Sequence, residues 1–176
     1  SNHSPGTWKI RSPLVIARSH PATVVYQDKI YVFGGGGPAF KSLNTVEVYD
    51  PLRDRWSTGR GMPTLRSGAI AVTLGDLIYV IGGGFKKPDG KFRFLPTVEI
   101  YDPQTDTWEQ GPDMLKPHDY PAAALVNGHI YIMGGHHPDA TEGGPQTDPG
   151  FSFCECFKPG HSHWEEVAPL PTPRFA

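Results

Sequence analysis

The chain has 176 residues, of which 38% are hydrophobic, with 21 Gly, 19 Pro and a formal net charge of -2. This composition predicts a turn-rich globular unit without the basic surplus that neutralises nucleic-acid phosphates. Since no apolar run approaches the roughly 20 residues that span a bilayer, we expect neither a nucleic-acid partner nor a membrane partner.

Four short strands are predicted in each of three successive segments. Strand a is expected at residues 22–25, 69–73 and 122–126, and a turn containing Gly or Asp leads into strand b. Strand b is a run of β-branched and aromatic residues that ends in two glycines, at 30–35, 77–83 and 130–135. Strand c begins at Val46, Val98 and Cys154, and strand d carries a tryptophan.

The spacing of these features shows an internal repeat with one variable connection. Trp8, Trp56, Trp108 and Trp164 follow one another after 48, 52 and 56 residues. The distance from each Trp to the second Gly of the next doublet is constant at 27 residues. All the variation in length therefore lies between strands b and c, at 36–45, 84–97 and 136–153. A fixed frame with one variable loop per repeat is typical of repeat proteins that bind partners through their loops.

This pattern resembles the kelch-repeat family. The matching residues are the Gly doublets, the Tyr three positions before each doublet, the Tyr-Asp-Pro of strand c, the Trp and the Pro63-x-x-Arg66 entry to strand a. The resemblance implies an all-β fold, a β-propeller of kelch type with three complete four-stranded antiparallel blades. We expect one propeller segment over 1–176, with repeats near 13–60, 61–112 and 113–168 and partial blade strands at 7–11 and 172–176.

Three blades are fewer than the four to eight of typical propellers, so we expect an incomplete propeller. Its terminal blades would expose apolar faces, which soluble proteins avoid. The remainder of a longer propeller, or a second copy of the chain, would cover them. Chain ends that fall inside repeats favour the first of these alternatives.

Two stretches of the chain carry residue types that suit a cofactor or a metal. The Gly34–Gly37 run is followed by a predicted strand, whereas a dinucleotide fingerprint requires a helix. His136, His137 and Asp139 are weak metal candidates at the start of the longest loop. Cys154 and Cys156 take the places of Val98 and Ile100, which favours core packing over metal ligation. We therefore expect no cofactor and no metal.

Antiparallel strand order places the b–c loops and the residues entering strand a on one face. We call it the loop face. Cations interleaved with aromatic residues suit an acidic peptide or a carboxylate. The candidate partner-binding residues on this face are Arg18, His20, Arg66, Ser67, Lys86, Phe92, Arg93, His118, Tyr120 and Arg174. For Arg18 and Arg66 an equal alternative is a structural role, in which the guanidinium binds backbone carbonyl groups.

The sequence favours a non-catalytic module that captures a protein or peptide, possibly acidic, on the loop face. The alternative, which the resemblance to kelch-like propellers implies, is part of a propeller enzyme of epimerase, mutarotase or oxidase type that acts on a sugar or sugar acid. His118, Asp119 and Tyr120 at a blade entrance are its candidate acid–base groups. A purely structural repeat is the third possibility. No targeting signal decides the compartment, and a cytoplasmic location is slightly favoured.

Overall fold

A computed structural model describes residues 9–14, 16–135 and 152–171 of the chain. These residues form three four-stranded antiparallel sheets and one two-stranded sheet. No helix in this part of the chain has the length and apolar character to cross a membrane. Of the two expected partial strands, residues 7–8 and 172–176 lie outside the described residues, and residues 9–11 form no strand.

The first sheet, blade 1, follows the chain order β1-β2-β3-β4. A 3₁₀ turn at Pro38–Phe40 separates the second and third strands. Its strands are β1 (Ala22–Tyr26), β2 (Lys29–Gly36), β3 (Ser42–Asp50) and β4 (Arg55–Gly59).

Blade 2 has the same strand order, with an additional hairpin inserted between its second and third strands. The hairpin lies in the predicted variable connection and forms its own two-stranded sheet. The strands are β5 (Ile70–Leu74), β6 (Leu77–Ile81), β7 (Gly84–Lys86), β8 (Phe92–Phe94), β9 (Val98–Asp102) and β10 (Thr107–Gln110).

Blade 3 repeats the order a-b-c-d, and its b–c connection at 136–151 lies outside the described residues. Its strands are β11 (Ala122–Val126), β12 (His129–Met133), β13 (Cys154–Phe157) and β14 (Glu165–Val167). The prediction of three four-stranded antiparallel blades is thus confirmed.

The glycine doublets stand where the chain needs both a positive φ and a close approach of backbone. All six of their glycines have φ between 60° and 106°. A Cβ on Gly83 would lie 2.6 Å from the Ser67 carbonyl oxygen and 2.7 Å from the Ala69 nitrogen. Only glycine satisfies both conditions at low cost, which explains why the doublet marks each repeat.

The hydrophobic core lies between the blades. One cluster joins Phe33 and Val46 of blade 1 to Ile78 and Val80 of blade 2. A second cluster joins Tyr79 of blade 2 to blade 3, including the ring of Phe157 at 5.9 Å between centroids. Because apolar side chains are buried between blades 1 and 2 and between blades 2 and 3, the blades stack in the manner of propeller blades.

The repeated tryptophans anchor strand d to the connection that precedes the same blade. Each indole Nε1–H donates to one carbonyl group at equivalent positions of the three repeats. The pairs are Trp56 to Ser12 at 2.8 Å, Trp108 to Arg60 at 2.9 Å and Trp164 to Pro112 at 2.9 Å. Trp56 and Trp108 therefore share one structural role, as the repeat predicts.

Candidate functional site

Arg66 is buried inside blade 2 and does not present its guanidinium to solvent. Its Nε donates to Glu99 Oε1 at 3.0 Å, and its Nη1 donates to the Gly82 carbonyl at 2.8 Å. Nη1 also reaches the Thr97 carbonyl, and Nη2 donates to the Thr97 hydroxyl at 2.6 Å. The side chain thereby ties the entry to strand a to the end of strand b and the start of strand c.

Arg18 contacts the equivalent glycine, threonine and glutamate in blade 1, although its Nε donates to the Ile16 carbonyl and not to the glutamate. Its Nη1 donates to the Gly34 carbonyl at 3.0 Å and to the Thr45 hydroxyl at 2.6 Å, and its Nη2 is paired with Glu47. The Arg18 side chain has no exposed surface. Removal from water is the main cause that lowers the pKa of both arginines, and Glu47 and Glu99 oppose it.

His118 takes the place of the arginine in blade 3. Its Nδ1 lies 2.8 Å from the Gly134 carbonyl oxygen and its Nε2 lies 2.8 Å from Glu155 Oε2. The imidazole ring is fully buried, so it is not accessible to a substrate in solution. All three residues hold equivalent positions in the repeat, and each contacts the carbonyl group of the first glycine of a doublet.

The residue two positions after Arg18, Arg66 and His118 adopts a left-handed backbone conformation in each blade. His20 and Tyr120 both have φ of 52°, and Gly68 has φ of 72°. Since non-glycine residues rarely adopt this conformation, its presence at His20 and Tyr120 marks a candidate functional position. The two rings meet edge to face with 5.2 Å between centroids.

A cavity of about 400 Å³ opens on the loop face beside this aromatic pair. We call it the loop-face cavity. Residues at the entries to strand a of all three blades line it, together with residues from the b–c connections of blades 1 and 2. The lining residues are Ser19, His20, Gly36, Ser67, Lys86, Phe92, Phe94, Asp119 and Tyr120.

The β7–β8 hairpin forms one wall of the loop-face cavity. Residues 84–94 contain four cations and one anion, so the wall carries net positive charge. Phe92 and Phe94 pack with 5.2 Å between their ring centroids. A pair of β-bridge hydrogen bonds, Ser67 N–H to Gly84 O at 2.8 Å and the reverse at 2.9 Å, fixes the base of the hairpin.

Tyr120 supplies a neutral phenol to the cavity. Burial and the nearby charge of Asp119 raise the pKa of Tyr120 to about 12. The hydroxyl therefore keeps its proton throughout the physiological range and can both donate and accept a hydrogen bond.

The structure brings together five of the candidate partner-binding residues, namely His20, Ser67, Lys86, Phe92 and Tyr120. Arg93 lies on the same hairpin, is exposed and is the cross-strand partner of Phe85. Arg18, Arg66 and His118 are directed into the blades instead. Arg174 and the metal candidates His136, His137 and Asp139 lie outside the described residues.

No group of metal-ligating side chains occurs within residues 9–14, 16–135 and 152–171. Cys154 and Cys156 are buried free thiols, 3% and 2% exposed. Their burial agrees with their alignment to the core residues Val98 and Ile100.

The buried glutamates of strand c are functional-frame residues that the sequence motifs above do not include. Glu47, Glu99 and Glu155 are 2%, 5% and 0% exposed, and they contact Arg18, Arg66 and His118, respectively. A signal was present, because a glutamate recurs one residue after the start of strand c in all three repeats. Charged residues are almost never fully buried unless they are paired, so a recurring glutamate between apolar residues indicates a paired cation.

Comparison with known proteins places this geometry among kelch repeats. The model of the KLHDC2/KLHL20/DRC7 Kelch-repeats domain matches residues 4–175. The chain is 32% identical over 151 residues to Kelch-like protein 35 of Mus musculus, covering 85% of this chain and 25% of that protein. It is 33% identical over 132 residues to alpha-scruin of Limulus polyphemus, covering 73% of this chain and 14% of that protein. The chain thus spans a quarter or less of the length of these relatives.

A solved structure shows the same architecture. The chain matches the structure of YjhT with a TM-score of 0.73 over 92% of this chain and 54% of that one. The sequence identity is 18%, so the likeness concerns the fold alone.

Proposed function

Because the chain belongs to the kelch-repeat family, we propose that it is a non-catalytic binding segment that captures a protein partner in the loop-face cavity. The observation that carries this proposal is the convergence on one cavity of residues from all three blade entries and from the b–c connections of blades 1 and 2. The rest of each repeat serves as a fixed frame.

The chemistry of the lining supports a peptide with an acidic residue next to an apolar one. Lys86 is exposed at the cavity, and Lys91 and Arg93 extend the positive charge along the hairpin. Phe92 and Phe94 offer aromatic surface, Phe92 being 40% exposed. Aromatic and cationic side chains around a concave site commonly contribute most of the binding energy of an interface.

Because Arg18 and Arg66 are buried, other cations would contact the partner. Their donors are bonded within the blades, so they act by holding Gly34, Gly82 and the loops beyond them in place. In this proposal the cations that contact the partner are Lys86, Lys91 and Arg93 of the hairpin. The enzymatic alternative loses His118 as a solvent-accessible acid–base group for the same reason.

The experiment is selection from a random peptide display library on the folded chain, followed by measurement of the Kd of the enriched peptides. We expect Lys86→Glu and Phe92→Ala each to weaken binding at least tenfold. The matched controls are Lys29→Glu, at the first residue of β2, and Leu52→Ala, in the turn between β3 and β4. Both residues are exposed on the opposite face, and both variants should leave Kd unchanged. Enriched peptides that bind the cavity variants as tightly as the unaltered chain would overturn the proposal.

A further inference from the structure

The β7–β8 hairpin has one edge that the rest of the chain covers. On β7, the Gly84 N–H donates to the Ser67 carbonyl at 2.9 Å, and the Gly84 carbonyl accepts the Ser67 N–H at 2.8 Å. The Lys86 N–H donates to the hydroxyl of Ser42, the first residue of β3, at 3.3 Å. The outward backbone groups of β7 are therefore bonded to the entry of blade 2 and to blade 1.

The other edge of the hairpin, on β8, presents backbone groups that the hairpin itself does not use. The Lys87 N–H donates to the Lys91 carbonyl at 2.8 Å, which makes these two residues a hydrogen-bonded pair. Such pairs alternate with non-hydrogen-bonded pairs in an antiparallel ladder. The N–H and carbonyl groups of Phe92 and Phe94 are therefore directed away from β7. Within the part of the chain that the structure describes, these backbone groups have no hydrogen-bond partner.

The side chains of β8 alternate between two surfaces of the hairpin. Phe92 and Phe94 line the loop-face cavity, together with Lys86, the cross-strand neighbour of Phe92. Arg93 belongs to the other surface and lies opposite Phe85. Phe92 and Arg93 are both exposed, so a partner in solution can reach both surfaces beside this edge.

We propose that the partner binds to β8 as an extended segment and adds a strand to the hairpin. Free N–H and C=O groups on a sheet edge are a template for a further strand. Peptides that bind by strand addition gain affinity from main-chain hydrogen bonds and specificity from alternate side chains. This inference rests on the proposed function in placing the partner at the loop-face cavity, and it adds the conformation of the partner's backbone.

The two surfaces of β8 specify the chemistry of the added strand. Its successive side chains alternate between the surface of Arg93 and the surface of Phe92 and Phe94. Opposite charges and apolar side chains on neighbouring strands attract each other, so we expect an acidic residue beside Arg93, flanked by two apolar β-branched residues. Lys86 and Lys91 also favour an acidic segment. Because β8 has three residues, the added strand is short.

The test is amide hydrogen exchange, followed by NMR, on the folded chain with the synthetic peptide acetyl-Thr-Val-Glu-Val-Thr-amide. We expect saturating peptide to slow exchange of the Phe92 and Phe94 amides about tenfold or more. The Arg93 amide, which is bonded within the hairpin, should be protected already in the chain alone. The same peptide with Lys in place of Glu is the matched control and should have much less effect. Unchanged exchange at Phe92 and Phe94, up to the solubility limit of the first peptide, would overturn the proposal.

N-methylation of single amides of the peptide separates main-chain bonding from side-chain docking. Only alternate residues of an added strand direct their N–H towards β8. Methylation should therefore weaken binding about tenfold or more at alternate positions and much less at the positions between them. A methylation profile without this alternation would contradict strand addition.

A pair of variants tests the same bond from the side of the chain. Phe92→Ala removes the ring, whereas Phe92→Pro removes both the ring and the outward N–H, a change that an edge strand tolerates. We expect Phe92→Pro to bind the peptide more weakly than Phe92→Ala. Equal Kd values for the two folded variants would contradict the proposal. Should Phe92→Pro fail to fold, the N-methylation profile decides.

Strand addition and the proposed function can fail separately. A display-selected peptide may bind less tightly to Lys86→Glu and yet leave the exchange of the Phe92 and Phe94 amides unchanged. That result would overturn strand addition and support the loop-face cavity as the binding site. Slowed exchange on β8 by a peptide whose Kd is the same for Lys86→Glu and for the unaltered chain would support strand addition and count against the cavity.

Discussion

The Nε of Arg66 donates to Oε1 of Glu99 at 3.0 Å, and the exposed fractions of the two side chains are 0% and 7%. This bond joins the entry of blade 2 to its third strand, 33 residues later. It recurs as Arg18–Glu47 and as His118–Glu155. A buried contact between a basic side chain, Arg or His, and a glutamate is therefore a constant part of the repeat, as regular as the glycine doublet and the tryptophan.

Replacement of Arg66 by Ala should destabilise the chain strongly, because Glu99 would remain buried without its counter-charge. Breaking one partner of such a pair typically costs about 3–5 kcal/mol. Denaturant unfolding measures the loss. The control is Arg53→Ala, which removes an ion pair with Asp50 from a side chain that is 67% exposed and should cost less than about 1 kcal/mol. Similar losses in the free energy of unfolding for Arg66→Ala and Arg53→Ala would show that the buried pair stabilises the chain no more than an exposed one.

Replacement of Gly83 by Ala should cost more than replacement of Gly75, although both glycines have positive φ, 73° and 62°. A Cβ on Gly83 would collide with Ser67 and Ala69 backbone atoms, whereas a Cβ on Gly75 would have no atom within 4 Å. We expect about 1–2 kcal/mol for Gly75→Ala from the left-handed backbone alone. Overpacking should add about 1–3 kcal/mol for Gly83→Ala. Thermal unfolding of the two variants separates the cost of the steric collision from the cost of the left-handed backbone. Equal losses of stability would show that the backbone conformation is the sole cause of the destabilisation.

Replacement of Tyr26 by Phe should leave stability unchanged or raise it by up to about 1 kcal/mol. The Tyr26 hydroxyl is buried in the cluster between blades 1 and 2 and has no hydrogen-bond partner among the described residues. Burying an unsatisfied hydroxyl is unfavourable, so its removal relieves a cost. The comparison is Tyr101→Phe, which breaks the hydroxyl bond to Asp106 Oδ1 at 2.5 Å and should lose about 1 kcal/mol or more. Destabilisation by Tyr26→Phe would indicate an unrecognised partner for this hydroxyl.

Acid should weaken the turns between strands c and d of blades 1 and 2. The Tyr49 hydroxyl and the Ser12 N–H hold the pKa of Asp54 below its usual range, and the Arg60 N–H and the Tyr101 hydroxyl do the same for Asp106. A carboxyl whose pKa is lower in the folded than in the unfolded chain stabilises the fold above the unfolded value of about 3.9. That stability is lost as the pH falls through the lower folded value.

Thermal midpoints between pH 2 and pH 6 check this expectation. The midpoint should fall below about pH 4, and Asp106→Asn should make the decline shallower because one of the two carboxyl groups no longer titrates. The same slope in Asp106→Asn and in the unaltered chain would exclude Asp106 as a cause.

Much of the fold could be predicted from the sequence because its markers are local. A doublet such as Gly82-Gly83 indicates a positive φ and a close contact with neighbouring backbone. Both features depend on few residues. The strand boundaries were less well fixed. Strand a of blade 2 was expected at 69–73 and lies at Ile70–Leu74, since alternation in a short apolar stretch does not specify which residue makes the last ladder bond.

The site was harder to predict because it depends on contacts across long stretches of chain. Arg66 was equally compatible with binding a partner and with holding the frame, and the choice depends on Glu99, which is 33 residues away. The sequence predicts a loop where the β7–β8 hairpin lies, since Phe92-Arg93-Phe94 is too short for a clear period. The convergence of His20, Lys86 and Tyr120 on one cavity follows from blade stacking, which no single repeat encodes.

The most direct test of the loop-face cavity as the binding site is to map a display-selected peptide on the backbone amide spectrum of the folded chain. We predict the largest shift changes at His20, Ser67, Lys86 and Tyr120, with Lys29 and Leu52 on the opposite face unaffected. Changes centred on the opposite face, with the four cavity residues unmoved at saturating peptide, would contradict the proposed function.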